Sequence, residues 1–222
     1  MPALTQYASP ELVFAIAYDN HDPGDDHAWS TSGAASRDEY RRWCRHLCGI
    51  TCLRMALLHR DGYAPSLFGL LDGARHYGAY TEQDDGTIKG LIYAPFTEYA
   101  RAAHGLGAVV HPRLTMDELT SLLDDGHLVM ASVHKTIRTP DQEPPSKGGH
   151  LVLVRGHTPD GDLIFNNPSG HTAQSREAIL PTARFADFFA GRGVALDLHP
   201  RTETGPVAPA AEEHTAPVSP LT

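Results

Sequence analysis

A chain of 222 residues with 41% hydrophobic positions is long enough to bury one full core. Its formal net charge of −9 and pI near 5.8, with no cluster of lysine and arginine interleaved with aromatics, argue against a nucleic-acid partner. No run approaches the roughly 18 apolar residues of a membrane span, and Met1 to Gln6 has neither the basic start nor the apolar core of a signal peptide, so a cytoplasmic protein with no membrane insertion is expected.

Residues 1–10 carry no periodic apolar pattern and are expected to be a flexible N-terminus. Leu12 to Tyr18 reads as a strand, and the Asp- and His-rich stretch Asp19 to His27 as a solvated loop whose spacing fits neither an EF-hand nor a zinc motif. Ser36, with Glu39 three residues later, is placed to cap a first helical turn into Tyr40.

Cys48-Gly49 then opens a helix whose apolar face is carried by Ile50, Leu53, Leu57 and Leu58. Ser66 caps a second helix with Leu67, Leu70, Leu71 and Ala74 facing inward. Tyr80 to Gly90 reads as a polar loop. Pro95 suits the first turn of a helix ended by Gly105, from which Thr97 or Tyr99 is a candidate to line a cleft. Ala108 to Val110 reads as extended chain. Thr115 and Glu118 form a capping box for a helix with Met116, Leu119, Leu122 and Leu123 as its buried stripe.

His127 to His134 reads as a central strand, and the proline-containing segment 137–147 as a stiff surface loop placed to cover a cleft or grip substrate. Gly148-Gly149 permits a bend before the strand from His150 to His157. After the turn Thr158-Pro159-Asp160-Gly161, the strand Asp162 to Phe165 leads into Asn166-Asn167-Pro168. Thr182 begins a short helix containing Phe185, Phe188 and Phe189, and Val194 to Leu198 is the last strand. From Pro200 the composition is dominated by Pro, Ala, Thr and Glu, and residues 200–222 are expected to be a disordered tail behind a single domain over 11–199. Helices first and about five strands after them give an α+β class with an antiparallel sheet.

A cysteine in the first turn of a helix sits among unpaired backbone N–H groups at the positive end of the dipole, which favours a thiolate. Cys48 is therefore the candidate nucleophile. The 158–161 hairpin returns the Asn pair to the end of the sheet that carries His150, so a histidine base and an orienting amide are brought together. Which of Asn166 and Asn167 faces the histidine depends on a one-residue register. Cys44, Cys48 and Cys52 lack a Cys-x-x-Cys pair, so no metal and no cofactor is expected, and Cys52 reads as a small core residue.

Taken together, Cys48-Gly49 opening a helix, Gly149-His150 opening an aliphatic strand, and Asn167-Pro168 some 17 residues past the histidine resemble the bacteriocin-processing (double-glycine leader) cysteine peptidases and their stand-alone papain-like relatives. The resemblance covers roughly Arg41 to Leu198. It implies a papain-like fold, with a helical half whose Cys helix packs on a C-terminal antiparallel sheet. It further implies Cys48 as nucleophile, His150 as base and Asn167 as orienting residue, where the leader peptidases usually have Asp.

Six residues before the nucleophile, where the family commonly places an oxyanion-hole Gln, this chain has Arg42. Arg42 or the Trp43 indole N–H would then stand in, beside the Cys48 N–H. In the related peptidases the strand matching the one that carries His134 and Ser132 lies next to the histidine strand, which implies that both stand near the site; His134 is either a satisfied core histidine or, with Gly149, part of the substrate-binding surface. The expected activity is hydrolysis of a peptide or small amide through a thioester acyl-enzyme. Transfer of the same acyl group to an amine, or a papain-like binding module with a vestigial site, are the alternatives. With no fused transporter in this chain, any transporter or biosynthetic partner is expected to be a separate protein.

Overall fold

The computed structural model describes residues 1–199; the expected tail, residues 200–222, lies outside the described residues. In chain order the elements are α1 (Val13–Tyr18), α2 (Arg37–Trp43), α3 (Cys48–Asp61), α4 (Leu67–His76), α5 (Tyr93–His104), β1 (Gly107–His111), α6 (Met116–Asp124), β2 (Leu128–His134), β3 (Gly149–His157), β4 (Leu163–Asn166), α7 (Ala173–Arg176), β5 (Glu177–Leu180), α8 (Thr182–Phe188) and β6 (Phe189–Asp197). The six strands form one sheet in the order β1-β6-β2-β3-β4-β5, with every neighbouring pair antiparallel. The expected α+β class is thus observed, with five helices before the first strand and α3 packed against β3. No described helix is long and apolar enough to cross a membrane.

The sheet is covered on both faces, which explains why β2 is buried at every position and reads as one continuous apolar run. Leu128 and Met130, with Leu151 and Leu153 of β3, join the core built by α1 to α5. The alternate residues Val129, Ala131 and Val133, with Val152 and Val154, pack instead against Phe165, Phe185, Phe188 and Phe189. The phenylalanine plug expected near the C-terminal end is therefore a second core, although Phe189 starts β6 rather than ending α8.

Local signals are met by the expected chemistry. Ser36 accepts from the Glu39 N–H at 3.1 Å and Ser66 from the Gly69 N–H at 3.1 Å. Thr115 and Glu118 satisfy each other's backbone N–H groups in a full capping box. Gly105 ends α5 in the left-handed conformation.

Three expectations are corrected. Leu12 to Tyr18 is not a strand: Pro10 opens a 3-10 turn that runs into α1, and Val13 and Ile16, spaced by three, are the residues it buries. A sixth strand, β5, lies at the sheet edge, where only Leu180 is buried.

The N-terminal segment, expected to be loose, is packed. Gln6 donates its N–H to the Pro168 carbonyl at 2.8 Å and its side-chain amide to the Cys44 carbonyl at 2.9 Å. Ser9 donates to the buried Asp26 carboxylate from both N–H and hydroxyl, and Tyr40 donates to the same carboxylate at 2.6 Å. Four donors, counting the Ala28 N–H at 3.0 Å, satisfy this buried charge and hold the Asp26 pKa below its usual value despite the burial that opposes it.

Candidate active site

Helix α3 begins at Cys48 itself, after a 3-10 turn over Cys44–His46 and with Leu47 as N-cap. The first turn can pack closely because residue 49 is glycine: a Cβ there would lie 2.8 Å from Leu91 Cδ2 and 3.1 Å from the Tyr80 hydroxyl. Burial pushes the Cys48 thiol pKa up, and the backbone N–H groups of Leu151, Gly49 and Cys48 pull it back. The other two thiols are fully buried. Burial pushes Cys44 up to about 12 and Cys52 well above the usual thiol value. Cys52 donates its thiol to the Leu151 carbonyl at 3.8 Å, so the backbone of one β3 residue addresses two sulfurs of α3.

His150 stands at the entrance of β3, directly after two glycines held at φ +86° and +95°. Side chains other than glycine rarely adopt that backbone, and it turns the chain into the strand at the site's edge. His150 is 7% exposed, and burial lowers its pKa to about 4 although the Asn167 hydrogen bond opposes the shift.

His150 Nε2 lies 2.8 Å from Asn167 Oδ1. That same oxygen accepts the Ser169 N–H at 3.0 Å, which fixes it as the acceptor end of the amide. Nε2 therefore carries the imidazole proton, and Nδ1, which makes no hydrogen bond among the described residues, keeps its lone pair. Ser169 adds its hydroxyl 3.1 Å from Nε2.

The register that the sequence left open is set by β4. Asn166, its last residue, turns to the other side and donates to the Pro2 carbonyl at 3.0 Å. Asn167 alone reaches the histidine.

Cys48 and His150 line one cavity of about 560 Å³, together with Gly149, Leu151, Ser132, Leu91, Tyr93, Lys89 and Arg192. The volume suits a short peptide segment or small amide. Among the described residues, no group of histidines, cysteines and carboxylates is arranged to hold a metal ion.

The other sequence candidates fall elsewhere. Arg42 is exposed, paired with Glu82 and donating to the Gly86 carbonyl at 3.0 Å. Trp43 is buried beneath Arg75, whose guanidinium lies 4.8 Å from the ring centroid. Neither lines the cavity, whereas the first turn of α3, with its unpaired backbone N–H groups, begins at Cys48 itself.

His134 does not line the cavity either. Its Nδ1 caps the following 3-10 turn through Thr136, at 2.8 Å from the hydroxyl. Thr97 bonds back to the Ala94 carbonyl, and Tyr99 packs against Tyr77 and His104. The 137–147 segment is strapped to α8 by Arg184, which donates to the carbonyls of Pro140 and Gln142, and none of its residues lines the cavity.

Sequence reasoning did not single out Lys89, Leu91, Tyr93 or Arg192. Only the placing of β6 beside β2 and of the 89–93 segment against Gly49 brings them in.

The depressed His150 pKa has a stability consequence with a fixed sign. An unfolded imidazole titrates near 6.5 and the folded one near 4, so between these values the unfolded chain binds the extra proton, and stability is lost as pH falls from about 6.5 toward 4. The loss attributable to this residue is about 3 kcal/mol. Urea unfolding of the wild type and His150→Gln at pH 7 and pH 4 checks this. The wild type is expected to lose that much more than the variant, and equal losses would mean that the imidazole is already charged in the native state.

The model of the Peptidase_C39 like family matches residues 32–194, a span that includes Cys48, His150 and Asn167. The peptidase domain of Streptococcus ComA, a bi-functional ABC transporter involved in a quorum sensing pathway, is similar at 16% identity and a TM-score of 0.46, over 68% of this chain and 91% of that one. A Bacillus anthracis protein described as a C39-like peptidase is similar at 12% identity and a TM-score of 0.47, over 68% and 88% of the two chains. No curated protein matches the sequence. With the family model spanning well over half of its length, this chain belongs to the Peptidase_C39 like family.

Proposed function

We propose that the protein is a cysteine peptidase or amidase that cleaves a peptide or small amide through a thioester on Cys48. The observation that carries this reading is the His150 ring, held by Asn167 at 2.8 Å with Nε2 protonated, in a cavity that Cys48 also lines.

Burial disfavours an isolated imidazolium and an isolated thiolate alike, so the two charges are formed together, as a pair, when the proton moves from sulfur to Nδ1. The sulfur attacks the carbonyl carbon, and the carbonyl π electrons move to oxygen, facing the N–H groups at the start of α3. Collapse breaks the C–N bond as His150 returns the proton to the departing amine. Water, deprotonated by His150, then attacks the thioester and releases the acid and the Cys48 thiol.

The family resemblance makes peptides cut after small residues the first substrates to try. Glycyl-glycine peptide esters and amides are expected to give a wild-type adduct of one acyl group in the intact mass, absent in Cys48→Ala, and a hydrolysed product even with added amine. An identical adduct in Cys48→Ala would remove Cys48 from the reaction. A product carrying the added amine would assign acyl transfer instead.

A further inference from the structure

We propose that the cavity selects a substrate bearing a carboxylate on the amine side of the bond to be cleaved, held by Arg192 with Lys89 beside it. This rests on the reading of Cys48 and His150 as the reacting pair.

The chain carries 27 acidic against 18 basic residues, yet the charged side chains lining the cavity, apart from Cys48 and His150, are Lys89 and Arg192, both cations. Among the described residues, neither Arg192 nor Lys89 is paired with a carboxylate, so both charges are open to a ligand. Nor does any carboxylate stand near enough to shift Cys48, His150 or Tyr93, whereas Arg138 and His134 act on His150 and Arg192 acts on Tyr93.

Arg192 is also positioned. A Cβ on Gly148 would lie 3.0 Å from one of its terminal nitrogens and 3.2 Å from Ser132 Oγ, so the absence of a side chain at 148 leaves the guanidinium room beside the Ser132 hydroxyl. Ser132 is 3% exposed, and both it and Arg192 pull down the pKa of the Tyr93 hydroxyl, which burial raises. A planar donor fork with two hydroxyls beside it matches the two oxygens of a carboxylate. Gly148 is two residues from His150, the group that protonates the departing amine. In this proposal the leaving fragment lies on the Arg192 side of His150, and the probes below carry their carboxylates on that fragment.

The carboxylate is either the C-terminus of that fragment or an acidic side chain, and three thiol-directed probes separate these sources. N-chloroacetyl-leucine amide is neutral, N-chloroacetyl-leucine ends in a carboxylate, and the α-amide of N-chloroacetyl-glutamic acid carries its carboxylate on the side chain. In each the Cys48 sulfur forms a bond to the methylene carbon as chloride leaves.

At low salt, at least one anionic probe is expected to alkylate Cys48 about fivefold faster than the neutral probe, after correction by the same ratio for N-acetylcysteine. The advantage should vanish in Arg192→Gln and return in part in Arg192→Lys. Preference for the leucine acid alone assigns a terminal carboxylate, and preference for the glutamyl probe an acidic side chain. A corrected ratio near one, or one unmoved by Arg192→Gln, overturns the proposal. The absolute rate of the neutral probe and its dependence on His150 report on the reacting pair, so the two readings fail separately.

Discussion

In His150→Ala, iodoacetamide labelling of Cys48 is expected to fall by at least about 100-fold at pH 7, and turnover of any amide substrate by about 1,000-fold, the scale of a lost general base. The direction follows from the surroundings of the sulfur. Burial raises the Cys48 thiol pKa, and the three backbone N–H groups offset that only in part. Without an acceptor for its proton, the thiol stays protonated at neutral pH. Peptide mass spectrometry over pH 5 to 10 reads all three cysteines at once. Cys44 and Cys52, buried with raised pKa values, serve as internal controls. Equal labelling of Cys48 in the two proteins at pH 7 would show that His150 is not its base.

The two neighbouring asparagines are expected to behave differently when each is replaced by alanine. Asn167→Ala removes the acceptor that fixes the proton on Nε2, so the ring can take the tautomer that presents an N–H to Cys48 instead of a lone pair. A loss of about 100-fold in kcat is expected, with the folded protein retained. Asn167→Asp keeps an acceptor at the same place and should recover most of the rate. Asn166→Ala loses the bond to the Pro2 carbonyl and costs about 1 kcal/mol of stability, with kcat changed less than about threefold. Thermal unfolding and steady-state kinetics on the three variants give the comparison. A larger kcat loss for Asn166→Ala than for Asn167→Ala would reverse the assignment.

How much of this was legible from residues alone depended on the range of the interaction concerned. The Cys48 helix, the Ser66 and Thr115 caps and the hairpin after His157 are decided within a few residues, and they were readable. Tertiary placement was not. Val13 and Ile16 belong to a short apolar run that strand and helix explain equally well, and only their burial against the helical core decides. The pair Asn166 and Asn167 differs by one step of strand register, which pairing with β3 and β5 sets. The direction of Arg42 is set by Glu82, forty residues away in sequence. Arg192 enters the cavity because β6, the last strand in the chain, lies next to the central β2. Nothing local to that arginine announces it.

The N-terminal segment has a mechanical meaning. Its residues Pro2 and Gln6 bond to Asn166 and Pro168, on either side of Asn167, while the Gln6 side chain bonds to Cys44, four residues ahead of Cys48. Asn167 belongs to the sheet half and Cys48 to the helical half, and this short stretch ties them together as a brace does two walls. If the halves parted at the cavity, these bonds would be strained along with the packing of α3 on β3. The two halves are thus joined behind the cavity as well as through the packing of α3 on β3.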